Sequence, residues 1–201
     1  MIGVLLAEDL AMLRHALASL LRLEPDIEVL SEVDSGDKIL EEAHKHRPDV
    51  AVIDIDMPEL DGLSAAAQLR EQLPEVRVLI LTTLGKPGNL RRALSAQVSG
   101  FMLKDGPPDK LVAAIRDVAK GTRVFDSQLT LMAWDSGNNP LNAREVEVLR
   151  LTADGANPEE IARRLFLSSG TVRNYLTTSV TKLNARNKID AIRIAQELGW
   201  L

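Results

Sequence analysis

Val50-Ala51-Val52-Ile53-Asp54-Ile55-Asp56-Met57-Pro58-Glu59-Leu60-Asp61-Gly62 opens with four apolar residues, stops on a carboxylate and then turns polar and rich in turn formers. Its first four residues fit a short strand. Working outward, the same pattern recurs on both sides. Apolar runs at Ile2–Ala7, Ile27–Ser31, Val76–Leu81 and Gly100–Leu103 fit strands too, and helix-period stretches lie at Ala11–Leu23, Gly36–His46, Leu63–Gln72, Gly88–Gln97 and Lys110–Lys120. Five such βα units predict an α/β, doubly wound, five-stranded parallel sheet with helices on both faces. Sites in that architecture gather outside the carboxyl ends of the strands, so the residues just after each run carry the most information.

Those residues form a chemical set. Glu8 and Asp9 close the first strand, Asp54 the third, Thr82 and Thr83 the fourth, and Lys104 the fifth. Three carboxylates, a hydroxyl and an ammonium at one edge suit a hard cation such as Mg²⁺, which takes oxygen ligands and leaves room for a phosphoryl oxygen. Lysine would then pair with that phosphoryl group and threonine would hydrogen-bond to it. Any one of these residues alone would read as a helix cap or a solvated flank; their joint placement at four strand ends points to a site.

From Gly121 to Pro140 the alternation lapses, leaving one short helical piece at Gln128–Trp134 and then Asp135-Ser136-Gly137-Asn138-Asn139-Pro140, dense in turn formers. Beyond this linker every stretch reads as helix: Ala143–Ala153, Pro158–Phe166, Ser169–Leu183 and Ile189–Leu198. Asn142, Asn157 and Ser168 stand at N-cap positions, with Pro158 first in its helix. The second and third of these helices, joined by a tight turn and knitted by Ile161, Ala162, Leu165, Val172 and Leu176, have the layout of a helix-turn-helix, whose second helix enters the major groove. There Arg173 suits guanine edges, Asn174 adenine and Thr177 either, while Lys182 and Arg186 suit phosphates. An ordinary bundle with solvated charges is the competing reading.

Composition narrows the classes. The 201 residues carry a net charge of -5, no cysteine and 3% aromatics. That excludes disulfide scaffolds and thiolate metal centres, and disfavours stacking platforms for single-stranded nucleic acid. No run of about 20 apolar residues is present, so no membrane insertion is expected. The first residues lack a basic lead and meet Glu8 and Asp9 at once, so the chain is expected to be cytoplasmic rather than exported. The charge is also divided: residues 1–137 hold fifteen Lys and Arg against twenty-two Asp and Glu, and residues 138–201 hold nine against seven. An acidic body with a mildly basic end piece is compatible with nucleic-acid binding by the latter. His15, His44 and His46 stand at no metal-ligand spacing.

Glu8-Asp9, the run Asp54–Gly62, Leu81-Thr82 and Phe101-Met102-Leu103-Lys104-Asp105 resemble the receiver domain of bacterial response regulators, which is flavodoxin- or CheY-like. Pro140-Leu141-Asn142-Ala143-Arg144-Glu145-Val146-Glu147-Val148-Leu149, Ile161-Ala162, Thr171-Val172-Arg173 and Lys182-Leu183 followed by Ala191 are similar to the LuxR-type DNA-binding domain, a four-helix helix-turn-helix unit. The pair resembles the NarL/FixJ class. The resemblance implies Asp54 as phosphoacceptor, Mg²⁺ held by Glu8, Asp9, Asp54 and the backbone carbonyl of Asp56, Thr82 and Phe101 as a switch pair with Phe101 turning inward, and Lys104 as the conserved-type cation. It implies Thr171, Arg173, Asn174, Thr177 and Lys182 as DNA contacts. Expected boundaries are a receiver at 1–121, a linker at 122–139 and a DNA-binding domain at 140–201.

Expected partners are a sensor histidine kinase, double-stranded promoter DNA, a second copy on phosphorylation, and RNA polymerase. One candidate dimer surface is the apolar side of the first and fifth helices, with Leu10, Leu13, Leu17, Leu111, Val112 and Ile115; the last helix is another, on DNA. Such a protein is no enzyme beyond slow loss of its own phosphoryl group. The rival classes are a phosphorylation-independent DNA binder and a Mg²⁺-dependent phosphatase-like enzyme, the latter short of a general acid apart from Asp56.

Overall fold

The structure, a computed structural model, describes residues 1–83, 87–125 and 139–201. The chain divides into two compact units. In the first, strands β1 (Ile2–Ala7), β2 (Ile27–Val33), β3 (Val50–Ile53), β4 (Arg77–Thr82), β5 (Gly100–Leu103) and β6 (Val124–Phe125) form one sheet of order β2-β1-β3-β4-β5-β6. Every pairing is parallel. Helices α1 (Ala11–Leu21), α2 (Asp37–His46), α3 (Gly62–Gln72), α4 (Pro87–Ser95) and α5 (Pro108–Ala119) provide the crossovers. The strand order reverses between β1 and β3, the switch point at which doubly wound sheets open a crevice.

Strands β1 and β3 are buried on both faces, and this is why they read as unbroken apolar runs and not as alternating ones. Val4, Leu6, Val50, Val52, Leu79 and Leu81 point to one face, where Ala18 and Leu21 of α1 and Leu111, Val112 and Ile115 of α5 cover them. Their alternates Leu5, Ala51, Ile53 and Ile80 are equally buried and by the two-residue period of a strand belong to the opposite face.

Two expectations change here. The sheet gains a sixth strand beyond the expected five: Val124 and Phe125, inside the stretch read as linker, pair with Gly100 and Phe101. Also, Leu111, Val112 and Ile115, expected to be partly exposed, are core residues at most 5% exposed and packed against the sheet. On α1, Leu10 and Met12 do remain exposed. The expected helix at Gln128–Trp134 lies outside the described residues.

The second unit is helical: α6 (Ala143–Ala153), α7 (Pro158–Leu165), α8 (Ser169–Lys182) and α9 (Lys188–Glu197). Each start is fixed by a cap. Asn142 and Asn157 form capping boxes with Glu145 and Glu160, Ser168 accepts from the Thr171 N–H, and Asn187 accepts from the Asp190 N–H; each cap satisfies an amide that would otherwise lack a partner. Val148, Ile161, Ala162 and Val172 form one small core under the α7–α8 turn, and Leu141, Leu149, Leu183, Ala191 and Ala195, with Trp200 packed against them, form another. Phe166, read from the sequence as the last residue of α7, instead ends it in a left-handed conformation with φ of 56° and is 96% exposed. Among the described residues no helix is long and apolar enough to cross a membrane.

The charges on α9 support its start. Asp190 accepts from Arg186 at 3.0 Å and from Arg193 at 3.0 Å, and the hydrogen bonds from Arg186, with those of Arg193, hold its carboxyl below the usual aspartate range. A carboxyl lowered by folding stabilises fully above its ordinary pKa near 3.9 and ceases to do so as pH falls through the lower folded value. Acid below about pH 4 should therefore loosen α9, and Asp190→Asn should remove that part of the pH dependence, read from amide signals of α9 in the full chain. For the sheet unit, Ile115→Ala should cost about 2–5 kcal/mol in urea unfolding, whereas Leu10→Ala, at an exposed position, should stay within about 0.5 kcal/mol.

Candidate functional site

The registers bring the strand-end residues together. Ala7 aligns with Ile53, and the Asp54 N–H donates to the Ala7 carbonyl at 3.0 Å, so Glu8 and Asp54 leave the sheet side by side. Thr82 aligns with Leu103, and the Lys104 N–H donates to the Thr82 carbonyl at 2.8 Å, which sets the lysine stem over the same edge. The Lys104 ammonium then reaches back across the crevice, donating to Glu8 Oε2 at 2.6 Å and meeting Asp54 Oδ2 at 2.9 Å. The other Asp54 oxygen accepts the Ile55 N–H at 2.7 Å. Asp54 is 5% exposed, Glu8 1%.

Glu8, Asp9 and Asp54 each offer a carboxylate oxygen within 4.8 Å of the others. All these donors are hard oxygens, a set that fits Mg²⁺ and not a soft metal. Burial, with help from the Asp54 charge, holds the Glu8 carboxyl above its ordinary range despite the lysine. Burial opposes the Lys104 charge as well, but the hydrogen bonds to Glu8 and Asp54 outweigh it and raise its pKa. The ammonium is thus fixed as a cation. Asp56 carries an exposed side chain, and Thr82 is fully buried at the end of β4. Phe101 is fully buried too.

Two supporting groups escaped the sequence reading. Arg14 of α1 donates to the Glu8 carbonyl at 2.6 Å and the Asp9 carbonyl at 3.3 Å, clamping the loop that aims both carboxylates. Asp61, N-cap of α3, accepts from Arg92 of α4 at 2.7 Å and from the Ser64 hydroxyl. Burial works against its ionisation, but Ser64 and Arg92 prevail and hold its carboxyl low. Neither link has a sequence signature, because each joins residues whose spacing follows no helix or strand period.

In the helical unit, Arg173 and Asn174 stand exposed near the start of α8. Arg173 is tied to Glu159 of α7 at 2.8 Å. Thr171 faces the Ser168 hydroxyl at 2.9 Å, and Thr177 donates to the Arg173 carbonyl at 3.0 Å. Lys182 donates at 2.8 Å to Glu145, which is almost wholly buried and closes the α6 capping box at the same time. The lysine is therefore the counter-ion of a buried carboxylate.

The description "Response regulator receiver domain" matches residues 4–116, more than half of the chain. That of the bacterial regulatory proteins of the luxR family matches residues 139–195. The chain is a two-component response regulator. The transcriptional regulatory protein DesR of Bacillus subtilis (strain 168) is 44% identical over 100% of this chain and 99% of its own. YvfU of the same strain, an uncharacterised transcriptional regulatory protein, is 45% identical over the whole of both. The response regulator of the solved RcsB–DNA complex matches with a TM-score of 0.70 at 24% identity over 98% of each chain, a likeness of fold. Receiver and LuxR-type domains in one chain make this response regulator a phosphorylation-dependent, DNA-binding transcription factor of the NarL/FixJ class. Its family is one of regulators and not of classical enzymes.

Removing one partner of a buried pair leaves an uncompensated charge, at about 3–5 kcal/mol when both are fully buried. The Lys182 side chain is 36% exposed, so Lys182→Gln in this response regulator should cost less, roughly 1–3 kcal/mol. Urea melts followed through α6 and α8 amides measure it; an unchanged midpoint would leave the lysine free for DNA alone.

Proposed function

We propose that Asp54 accepts the phosphoryl group and that Glu8, Asp9, Asp54 and the Asp56 carbonyl hold Mg²⁺. The observation that carries this reading is the buried Asp54 carboxylate bridged through Lys104 to Glu8. An Asp54 oxygen attacks the phosphorus of a phosphohistidine on the sensor kinase; the new P–O bond forms as the P–N bond breaks, and the imidazole nitrogen keeps the electron pair. The Ile55 N–H, already on one Asp54 oxygen, leaves the other to attack. Lys104 moves from its carboxylates onto a phosphoryl oxygen, where it neutralises charge as it develops. Mg²⁺, when bound, supplies further positive charge against the phosphoryl oxygens. Thr82 hydrogen-bonds to the acyl phosphate, and Phe101 is held in its inward position, a shift of population between two states of the surface. Loss of the phosphoryl group by water attack is slow.

The DNA-binding domain covers 140–201, after a receiver whose sheet runs past the expected boundary at 121 to Phe125 and the linker beyond it. It sets α8 in the major groove, with Thr171, Arg173, Asn174, Thr177 and Lys182 toward DNA. For Arg173 this means exchanging Glu159 for a guanine edge; for Lys182 it means sharing its charge between Glu145 and a phosphate. Phosphorylation promotes a dimer that binds a two-fold operator, in the cytoplasm and in reach of RNA polymerase. Asp54→Asn should abolish labelling by acetyl phosphate in Mg²⁺ while leaving the circular dichroism spectrum unchanged. Labelling retained by that variant refutes the assignment. Sedimentation of the labelled wild-type chain should show dimer where the unlabelled chain shows monomer.

A further inference from the structure

A second pocket lies at the pole of the sheet away from Asp54. Its walls come from the α3–β4, α4–β5 and α5–β6 connections, at the amino ends of β4, β5 and β6, and it encloses about 220 Å³. Arg70, Arg77 and Arg123 line it, with Glu75 the single acidic residue; that glutamate is already paired with Arg47 at 2.8 Å, outside the lining.

Several arginines elsewhere in this unit behave differently. Arg22, Arg47, Arg92 and Arg116 each hold a carboxylate within 2.8 Å. Arg70 reaches only neutral oxygens, Gln97 Oε1 at 3.3 Å and the Pro74 carbonyl at 3.4 Å. Among the described residues Arg77 and Arg123 form no ion pair. Glu75 is the only acidic side chain in the lining, although residues 1–137 hold twenty-two acidic side chains against fifteen basic ones. Like charges gathered in one place oppose folding. Gly121, with φ of +90°, completes the wall beside the Arg77 guanidinium.

We propose that this pocket binds a small phosphate-bearing ligand, a phosphomonoester or diphosphate, through Arg70, Arg77 and Arg123. Guanidinium forks match phosphate oxygens bidentately. The concave, predominantly polar shape fits a compact anion in place of a DNA backbone or an acidic peptide, either of which would need a longer open track. The ligand's binding would add a chemical input distinct from the Asp54 site, on connections that lead into β4 and β5.

The test uses the full chain with inorganic pyrophosphate in EDTA, so that no metal-assisted binding at Asp54 competes. Saturable amide shifts should appear at Gln97, Ser99 and Gly121, with a rise in melting temperature. Arg77→Gln and Arg123→Gln should each weaken binding about tenfold with the unliganded spectrum unchanged; Arg123 is exposed, so its variant keeps the test open if Arg77→Gln perturbs the sheet. Asp54→Asn should bind as wild type. Shifts confined to Asp9, Asp54 and Lys104, affinity equal in both arginine variants and wild type, or displacement of pyrophosphate by a poly-glutamate peptide at matched charge would each overturn the proposal.

Discussion

One ammonium holds the receiver's chemistry in place. Lys104 sits between two buried carboxylates, 2.6 Å from Glu8 and 2.9 Å from Asp54. Removed from that position it would leave two like charges in a poorly solvated crevice, where at an effective dielectric near 20 a contact at about 4 Å is worth about 4 kcal/mol. Three carboxylates against one ammonium still leave a formal charge of -2 at the edge. A dication matches that residue, and a phosphoryl group brings negative charge that both cations then share. The parallel registers, the Arg14 clamp and the Ile55 amide all serve to keep the carboxylates where one lysine can span them. A slip of one residue in β1 against β3 would turn Glu8 to the other face of the sheet and dissolve the arrangement.

The helical unit solves a different problem by local means. Its third helix, α8, is rich in Ser and Thr, residues that favour caps over helix interiors. Several of their hydroxyls bond back one turn: Thr177 to Arg173, Ser179 to Tyr175 and Thr181 to Thr177. Such a helix is weak alone and takes its order from packing. That packing rests on Val172 against α6 and α7 at one end and on Lys182 bound to Glu145 at the other. Glu145 thus links the cap of α6 to the far end of α8.

How much of this was legible depended on whether the controlling interaction was periodic. Strands β1, β3 and β5 could be bounded to the residue, because each is a short apolar run that a charged residue closes at once. The acidic edge was legible too, since parallel strands deliver their carboxyl ends to one side whatever their order. Strand β6 was missed because two residues carry no period and pair only where β5 already stands. The apolar stripe of α5 was visible, but a stripe says that a face is covered and not by what; the sheet, and no partner, covers it. Lys182 was read as a phosphate contact, since Glu145 lies 37 positions away and nothing in either neighbourhood announces the pair.

The charge division also bears on how a phosphoryl group controls transcription. Nine basic against seven acidic residues after position 137 give a single DNA-binding unit few phosphate contacts, and affinity falls with salt in proportion to their number. Two units on one operator double that number, and the second contact becomes intramolecular, with an effective concentration set by the tether. Affinity for DNA is then a steep function of the monomer–dimer balance. A ligand-induced shift of about 1–3 kcal/mol in that balance, the usual scale of coupling between sites, is enough to move occupancy by one to two orders of magnitude. On the proposed dimer mechanism the receiver needs no direct contact with DNA to achieve this.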